Sequence, residues 1–294
     1  MKPATFDYHD PTTLSEATAL LSRLGEDARV LAGGQSLVPL MNFRLARPAH
    51  LVDLNRVAEL DFLSVEDGEL RIGAMTRQRA LERSDEAAAG WPLLREAAGF
   101  IGHVQIRNRG TVGGSLAHAY PSAELPVAMV TLDATLVLQG EEGERTVAAE
   151  EFFLGTMTTA LEPGELLREV RVPAVSSGSG ASFQEVSRRY GDFALAGAAA
   201  LVTLDREGTV TGARLTLTGA APIRAQAAEE MMRGQELSEA LFREAARRAV
   251  DGIEQDSDMH ASAEYRRRAC EALARRALAE AAQQAAASFE EAAP

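Results

Sequence analysis

Two short glycine stretches, Ala32-Gly33-Gly34-Gln35-Ser36-Leu37 and Thr111-Val112-Gly113-Gly114-Ser115, stand far apart in the chain. Each follows a segment that we predict to be a strand or a strand and turn, residues 28–31 before the first and residues 106–110 before the second. Adjacent glycines followed by a small hydroxyl residue suit a phosphate, because no β-carbon blocks its approach and successive N–H groups can converge on one anion. One Gly-Gly turn more often only reverses the chain. Two such loops predict a dinucleotide whose pyrophosphate is held from both sides.

Composition bounds the class of protein. The chain has 294 residues, of which 46% are hydrophobic and 25% charged. These values are ordinary for a soluble globular protein with room for two or three subdomains. The net charge of −13 argues against a nucleic-acid surface and offers nothing to an anionic membrane. The segment 1–7 has no apolar signal core and no apolar run reaches membrane-spanning length, so we expect a cytoplasmic protein.

The single cysteine, Cys270, can form no internal disulfide and cannot by itself hold an iron–sulfur cluster. It lies in the helix-like segment 265–273, where a small buried helix residue is the expected role. The five histidines are scattered without metal-ligand spacing, so we predict no metal site in this chain.

Periodicity and turn signals divide the chain into three parts. A helix from Thr13 or Ser15 to Gly25 and two short strands predict an N-terminal α/β subdomain over residues 1–57. The Asp67-Gly68 turn between alternating segments predicts a hairpin, which opens a middle α+β subdomain over residues 58–175. A linker over 176–180 leads to a C-terminal domain, residues 181–288. There we predict three strands (182–187, 197–204 and 209–217) and then helices (226–233, 238–251 and 262–287).

Further motifs accompany the glycine stretches: residues 38–48, 51–54, 105–110, 121–126, 188–195 and 262–267. Together they resemble the FAD-binding medium subunit of the molybdenum hydroxylases, the carbon monoxide dehydrogenase and xanthine dehydrogenase family. The likeness runs nearly end to end, in the family's order and spacing.

The resemblance implies an α+β fold. A two-subdomain FAD-binding fold of the PCMH or vanillyl-alcohol-oxidase type would precede a C-terminal three-stranded antiparallel sheet with helices. It implies FAD in this chain, and 2Fe–2S clusters and molybdopterin only in partner subunits. The expected partners are a small iron–sulfur subunit and a large molybdopterin subunit, assembled as a dimer of heterotrimers. Electrons would pass from the clusters through FAD to an external acceptor such as oxygen, a quinone or NAD.

The candidate cofactor-binding residues come from both arguments, and none is assigned a catalytic role. The residues themselves point to the N–H groups of 33–36 and 113–115 as the phosphate cradle, with hydroxyl donors nearby. The resemblance adds an acidic cofactor contact after Pro121-Ser122-Ala123, two aliphatic residues close to the flavin ring, and a tyrosine. For the two aliphatic residues, a place in the core without flavin contact is an equal alternative. For that tyrosine, stacking over the isoalloxazine and ordinary packing are equal alternatives. The full set is Ala32, Gly33, Gly34, Gln35, Ser36, Leu37, Ile101, Thr111, Gly113, Gly114, Ser115, Glu124, Leu167 and Tyr190.

The sequence departs from the family pattern at three positions. Tyr120 stands where relatives commonly carry aspartate before the proline, and Gln35 where some carry histidine. Gln184 stands near Phe183, where some relatives carry a lysine close to the flavin. We expect the differences at Tyr120 and Gln184 to affect the flavin potential and the reoxidation partner, and not FAD binding itself.

Two other functions stay open. A self-contained flavoprotein oxidase or reductase of the same fold would need its own acid or base beside the flavin, and His103, His118 and Tyr120 lie nearby in sequence. A non-catalytic nucleotide-binding or assembly protein also fits two glycine loops. A Rossmann dehydrogenase is disfavoured, because no Gly-x-Gly-x-x-Gly opens a helix after a strand. The substrate cannot be read, since in this family another chain determines it.

Overall fold

The computed structural model describes residues 2–291, in which six consecutive α-helices separate the fifth and sixth strands and three more follow the last strand. The strands make four sheets, in the orders β1-β3-β2, β4-β5-β10-β6-β7, β11-β12-β13-β14 and β8-β9. Their bounds are β1 Asp7–His9, β2 Ala28–Leu31, β3 His50–Asp53, β4 Leu63–Glu66, β5 Glu69–Gly73, β6 Thr135–Gly140, β7 Gly143–Ala148, β8 Phe153–Gly155, β9 Thr158–Thr159, β10 Leu166–Val172, β11 Ser179–Ser187, β12 Ala194–Leu204, β13 Val210–Leu217 and β14 Ile223–Arg224.

Most of the helices are short, and the last is by far the longest. Two 3₁₀ turns, Gly25–Asp27 and Ala58–Leu60, accompany them. The α-helices are α1 Leu14–Leu24, α2 Leu37–Asn42, α3 Gln78–Arg83, α4 Asp85–Gly90, α5 Pro92–Phe100, α6 Val104–Arg109, α7 Val112–His118, α8 Glu124–Thr131, α9 Ala149–Phe152, α10 Gln226–Met232, α11 Glu239–Ala249 and α12 Ala263–Glu291. Within residues 2–291, no helix is both long enough and apolar enough to cross a membrane.

The N-terminal sheet leads directly into the first glycine stretch. Its three strands are parallel, with β3 in the centre. Helix α1 begins where the Thr13 hydroxyl accepts a hydrogen bond from the N–H of Glu16, 3.2 Å away, and Gly25 follows its last residue with φ of 57°. Helix α1 packs on β3, and Ala17 of the helix and Val52 of the strand belong to one core cluster. The predicted helix and both predicted strands are confirmed.

A five-stranded antiparallel sheet forms the middle of the molecule. Strands β4 and β5 are the predicted hairpin, and Asp67 and Gly68 in its turn both have positive φ. Helix α7 packs on β5 and β10 of this sheet, and residues of α3, α4, α5, α7 and α8 join those of its strands in the largest core cluster. Trp91 is buried in that cluster, and its indole N–H donates to the carbonyl oxygen of Pro173 at 2.7 Å.

The C-terminal sheet contains the three predicted strands and a short fourth, β14, at its edge. Helix α12 lies along β11 and β12, with Cys270 and a stripe of alanines facing the strands. Burial raises the pKa of the Cys270 thiol to about 11, which agrees with the expected packing role.

One local prediction is wrong. Residues 106–110 do not precede the second glycine stretch as a strand and turn, because residues 104–109 form helix α6. Val104 and Ile106 are each 37% exposed, and the buried member of the segment is Arg107, which is 4% exposed. The apolar residues that suggested a strand therefore do not enter the core. A polar contact of Arg107 fixes this segment in its place.

Candidate functional site

The two glycine stretches lie against each other. A β-carbon on Gly33 would collide with the carbonyl oxygen of Arg109 and would stand 2.7 Å from the Cα atom of Gly110. A β-carbon on Gly114 would lie 3.4 Å from that of Ala32. Only glycine at position 33 permits this backbone approach. The structure thus brings two stretches that lie far apart in the sequence into backbone contact.

The first stretch presents backbone N–H groups that have no acceptor within the protein. In the described part of the chain, the N–H groups of Gly33, Gly34, Gln35 and Ser36 donate to no protein atom. Gly34 has φ of 73°, and the N–H of Val38 donates back to its carbonyl oxygen at 3.1 Å. The segment therefore turns sharply from β2 into α2 with its N–H groups available. Successive free N–H groups of this kind form an anion-binding nest.

The second stretch is built differently from the prediction. It is the first turn of helix α7, and its N–H groups are already used inside the protein. Gly113 donates to the carbonyl oxygen of Ala74 at 2.8 Å, Gly114 to the Thr111 hydroxyl at 3.0 Å, and Ser115 to the Thr111 carbonyl oxygen at 3.2 Å. The geometry therefore does not support the expectation that the N–H groups of 113–115 cradle a phosphate. Thr111 acts as the N-cap of α7.

A chain of hydrogen bonds fastens the two stretches together. The side-chain amide of Asn55 donates to the carbonyl oxygen of Ala32 at 3.0 Å. Arg77 donates through one nitrogen to the side-chain oxygen of Asn55 at 2.7 Å, and through the other to the carbonyl oxygen of Arg109 at 2.6 Å. Burial, followed by repulsion from Arg109, lowers the pKa of Arg77. The guanidinium thus joins the first residue of the first stretch, through Asn55, to the segment before the second stretch.

Glu124 is a buried carboxyl at the first position of helix α8. Glu124 is 7% exposed, and its carboxylate accepts a hydrogen bond from its own backbone N–H. Burial raises its pKa to about 7, against an opposing effect of the Arg107 guanidinium. Arg107 is itself bound by both oxygens of Glu82, at 2.7 and 3.0 Å, and donates to the carbonyl oxygen of Ile101 at 2.9 Å.

The three remaining candidates are not equally placed. Ile101 follows the last residue of α5 and is 8% exposed, and Leu167 on β10 is 4% exposed; both belong to the large core cluster. Tyr190 lies in the turn between β11 and β12 and is 73% exposed, with its ring 5.6 Å from that of His103. The structure thus leaves Tyr190 free to cover a ligand, and buries the two aliphatic residues. Their contact with a cofactor stays a prediction.

The three departures from the family pattern fall in different surroundings. Gln35 folds back and donates to the carbonyl oxygen of Gly33 at 3.1 Å. The ring of Tyr120 lies 4.5 Å from that of Phe193 and 6.0 Å from that of His118. Gln184 points at helix α12, where it donates to Glu280 at 2.6 Å. The Gln184 side chain therefore lies on the face of β11 that α12 covers.

Sequence reasoning missed several residues of this region. Asn55 and Arg77 were not predicted to belong to the site, because nothing in the sequence around them indicates a contact with a distant carbonyl group. Phe193, 65% exposed beside Tyr120, was also missed, as was Glu185, which lies close enough to Glu124 to feel its charge. A signal for Glu185 existed: Phe183 is a buried strand residue, and side chains two apart on a strand share one face.

Comparisons with known proteins agree with this arrangement. The family described as "FAD binding domain in molybdopterin dehydrogenase" matches residues 4–175, and the family described as "CO dehydrogenase flavoprotein C-terminal domain" matches residues 181–281. The chain is 45% identical to the 6-hydroxypseudooxynicotine dehydrogenase complex subunit alpha of Paenarthrobacter nicotinovorans, with 96% of each chain covered. It is 41% identical to the carbon monoxide dehydrogenase medium chain of Hydrogenophaga pseudoflava, covering 95% of this chain and 97% of that one.

A solved structure gives the same result for the fold. Carbon monoxide dehydrogenase from Hydrogenophaga pseudoflava, in a form lacking the Mo-pyranopterin moiety of its cofactor, contains a chain that superposes with a TM-score of 0.93. The identity is 41%, and the match covers 96% of this chain and 98% of that chain. Two family matches that together span most of the chain, and relatives well above 30% identity, are decisive. The chain belongs to the FAD-binding medium subunits of the molybdenum hydroxylases, of the carbon monoxide dehydrogenase and xanthine dehydrogenase type, and is thus an oxidoreductase subunit that binds FAD.

Proposed function

We propose that this chain carries the FAD through which a heterotrimeric molybdenum hydroxylase passes electrons from the iron–sulfur clusters of its small subunit to an external acceptor. The observation that carries the residue-level proposal is the run of free N–H groups over residues 33–36, held against Arg109 and Gly110 of the other subdomain. Bound FAD would supply the redox centre, and this chain's residues would bind and orient it.

The residues present fit such a cofactor. Four N–H groups without protein acceptors suit a pyrophosphate, and Ser36 and Ser115 add hydroxyl groups beside them. The Glu124 carboxyl lacks a partner side chain and suits the hydroxyl groups of a ribityl chain or ribose. Tyr190 together with Phe193 offers exposed aromatic surface for a flat ring, while Ile101 and Leu167 are almost fully buried in the core cluster and would contact the ring only through the small part of each that is exposed.

The partner assignment rests on what this chain lacks and on its relatives. Its one cysteine cannot hold a 2Fe–2S cluster, so the clusters and the molybdopterin belong to separate small and large subunits. The relatives are a medium chain and a subunit of a dehydrogenase complex, which supports multi-subunit assembly. We propose a dimer of heterotrimers in the cytoplasm.

Substitutions at Ser36 test the phosphate cradle. Ser36 has φ of −103° and makes no side-chain capping bond, so a new side chain there introduces no backbone strain. We expect S36D to weaken FAD binding at least about tenfold, because its carboxylate would stand beside the pyrophosphate. S36A is the matched control and should bind within about threefold of the wild type, since the N–H groups remain. FAD titration of the apoprotein measures both. Equal affinities for S36D and S36A would overturn the cradle.

The assembly is tested separately by co-expression with candidate small and large subunits. Iron and molybdenum that copurify with the tagged chain support the heterotrimer. A chain that purifies alone and whose flavin is reduced directly by an added substrate would instead support the self-contained flavoprotein.

A further inference from the structure

Two neighbouring residues on β11 face opposite sides of the sheet. The Gln184 amide donates to Glu280 at 2.6 Å and to the Ser182 hydroxyl at 3.1 Å, and Ser182 donates to the same Glu280 oxygen at 2.9 Å. This face of β11 is therefore covered by α12. Because strand side chains alternate, Glu185 projects to the other face, on which Phe183 packs against Phe100.

Glu185 carries an unpartnered buried oxygen. Its Oε2 atom is shielded from solvent and makes no hydrogen bond within residues 2–291. A buried polar atom of this kind costs free energy unless something satisfies it. Glu124 lies close enough for its charge to act on Glu185. Glu124 is more than nine-tenths buried and also lacks a partner side chain, so two carboxyl groups face the same region.

The groups around Glu124 and Glu185 do not neutralise the negative charge that these two carboxyl groups would carry when ionised. Burial, and then repulsion from Glu124, raises the pKa of Glu185 to about 8. Arg107 lowers the pKa of Glu124, but its guanidinium is already bound by Glu82. The packed helices add further acids: Glu96 of α5, which accepts a hydrogen bond from the N–H of Phe183, and Glu280 of α12 behind the strand. The buried Glu124 carboxyl and the partly buried Glu185 carboxyl each retain a proton near neutral pH in this setting.

We propose that Glu185 is a further residue of the FAD site, and that as a neutral carboxylic acid it donates a hydrogen bond to an acceptor atom of the bound cofactor. This inference rests on the proposed function. The flavin ring presents carbonyl oxygens and ring nitrogens as acceptors, and these can satisfy a carboxylic acid O–H. An ionised Glu185 would instead repel the cofactor's phosphate groups and Glu124 together.

Proton linkage is the consequence that can be measured. If bound FAD requires the protonated form, the dissociation constant should be level at low pH. It should rise by up to about tenfold per pH unit once the pH exceeds the pKa of Glu185. A glutamine at this position is neutral at every pH and keeps an N–H donor, so it should abolish the rise.

The experiment is FAD titration of the full-length apoprotein between pH 6 and pH 9.5, with circular dichroism to verify folding. The wild type should lose affinity progressively above about pH 8. E185Q should bind within about threefold of the wild type at pH 7 and keep that affinity to pH 9. Q184A, on the other face of the same strand, is the matched control and should follow the wild-type profile.

Each other outcome contradicts the proposal in its own way. A folded E185Q with the wild-type pH profile would remove Glu185 from the linkage. A folded E185Q that loses FAD more than about tenfold at pH 7 would show that an ionised acceptor is needed instead. A wild type that binds FAD equally from pH 6 to pH 9.5 would overturn the linkage even if E185Q fails to fold. A wild type that binds no FAD at any pH would contradict the proposed function itself.

Discussion

The carbonyl oxygen of Arg109 occupies the space into which a β-carbon on Gly33 would project. Two segments that lie far apart in the sequence are thereby brought into backbone contact. This contact places the free N–H groups of the first glycine stretch beside the end of helix α6. The site therefore depends on one glycine for its packing, in addition to any role of that residue toward a ligand.

We expect G33A to destabilise the folded chain by about 3 kcal/mol or more, because the obstacle is backbone and cannot rotate away. Gly90, at the last position of α4, has no positive φ, and a β-carbon added there would meet no heavy atom within 4 Å. G90A is therefore the control, and it should be neutral or stabilising by about 0.5–1 kcal/mol. Urea denaturation measures both variants. A G33A protein as stable as G90A would contradict the close approach of the two segments.

The hydrogen bonds of the Arg77 guanidinium give a prediction about FAD binding. Methionine at this position keeps the aliphatic stem and removes both hydrogen bonds, to Asn55 and to the Arg109 carbonyl oxygen. We expect R77M to weaken FAD binding about tenfold, equivalent to ~1.4 kcal/mol, because the two stretches are no longer held in register. R83M, which removes an exposed arginine at the end of α3, should bind FAD as the wild type does. Unchanged affinity in R77M would show that packing alone positions the stretches.

The cap of helix α7 can be tested by stability. In T111V the N–H of Gly114 loses its hydroxyl acceptor inside a buried setting, so the unfolding free energy should fall by about 1–2 kcal/mol. T111S retains the hydroxyl, so its unfolding free energy should fall by less than that of T111V. If thermal unfolding shows T111V and T111S equally stable, Thr111 does not act through this hydrogen bond.

The raised pKa values of Glu124 and Glu185 predict how the stability of the folded chain depends on pH. Glu185 has a pKa raised from 4.5 to about 8 in the folded chain, so the folded state binds more protons than the unfolded state between those values. Stability is therefore lost as the pH rises through this window, and Glu124, raised to about 7, adds to the loss. We expect E185Q to reduce the loss between pH 5 and pH 8 by on the order of 1–2 kcal/mol. E141Q, which removes an exposed loop carboxyl, should leave it unchanged. Denaturant unfolding at pH 5 and at pH 8 measures this loss of stability. An equal loss in E185Q and E141Q would contradict the prediction.

More of the fold than of the candidate site could be predicted from the sequence. Alternation around Asp67 and Gly68 marked the first hairpin to the residue, and a capping residue with a terminal glycine marked α1, because these signals are local. Helix α6 was missed because its buried residue is Arg107, whose partner Glu82 lies on another helix. An apolar pattern cannot report such a contact.

For the site, glycine pairs identified both segments but not how each is used. Whether the N–H groups of Gly114 and Ser115 are free depends on Thr111, and whether those of Gly33 and Gly34 are free depends on how the chain turns into α2. The choice between Gln184 and Glu185 shows the same limit, since a shift of one residue on a strand exchanges its two faces. The division into residues 1–57, 58–175 and 181–288 stays a prediction.

The most direct test of the central claim is the flavin content of the purified full-length chain, determined from its absorption spectrum and from cofactor released on denaturation. The account predicts flavin bands in the blue, release of a single FAD per chain, and loss of that FAD in S36D but not in S36A. A folded wild-type chain that is colourless and takes up no added FAD would contradict it.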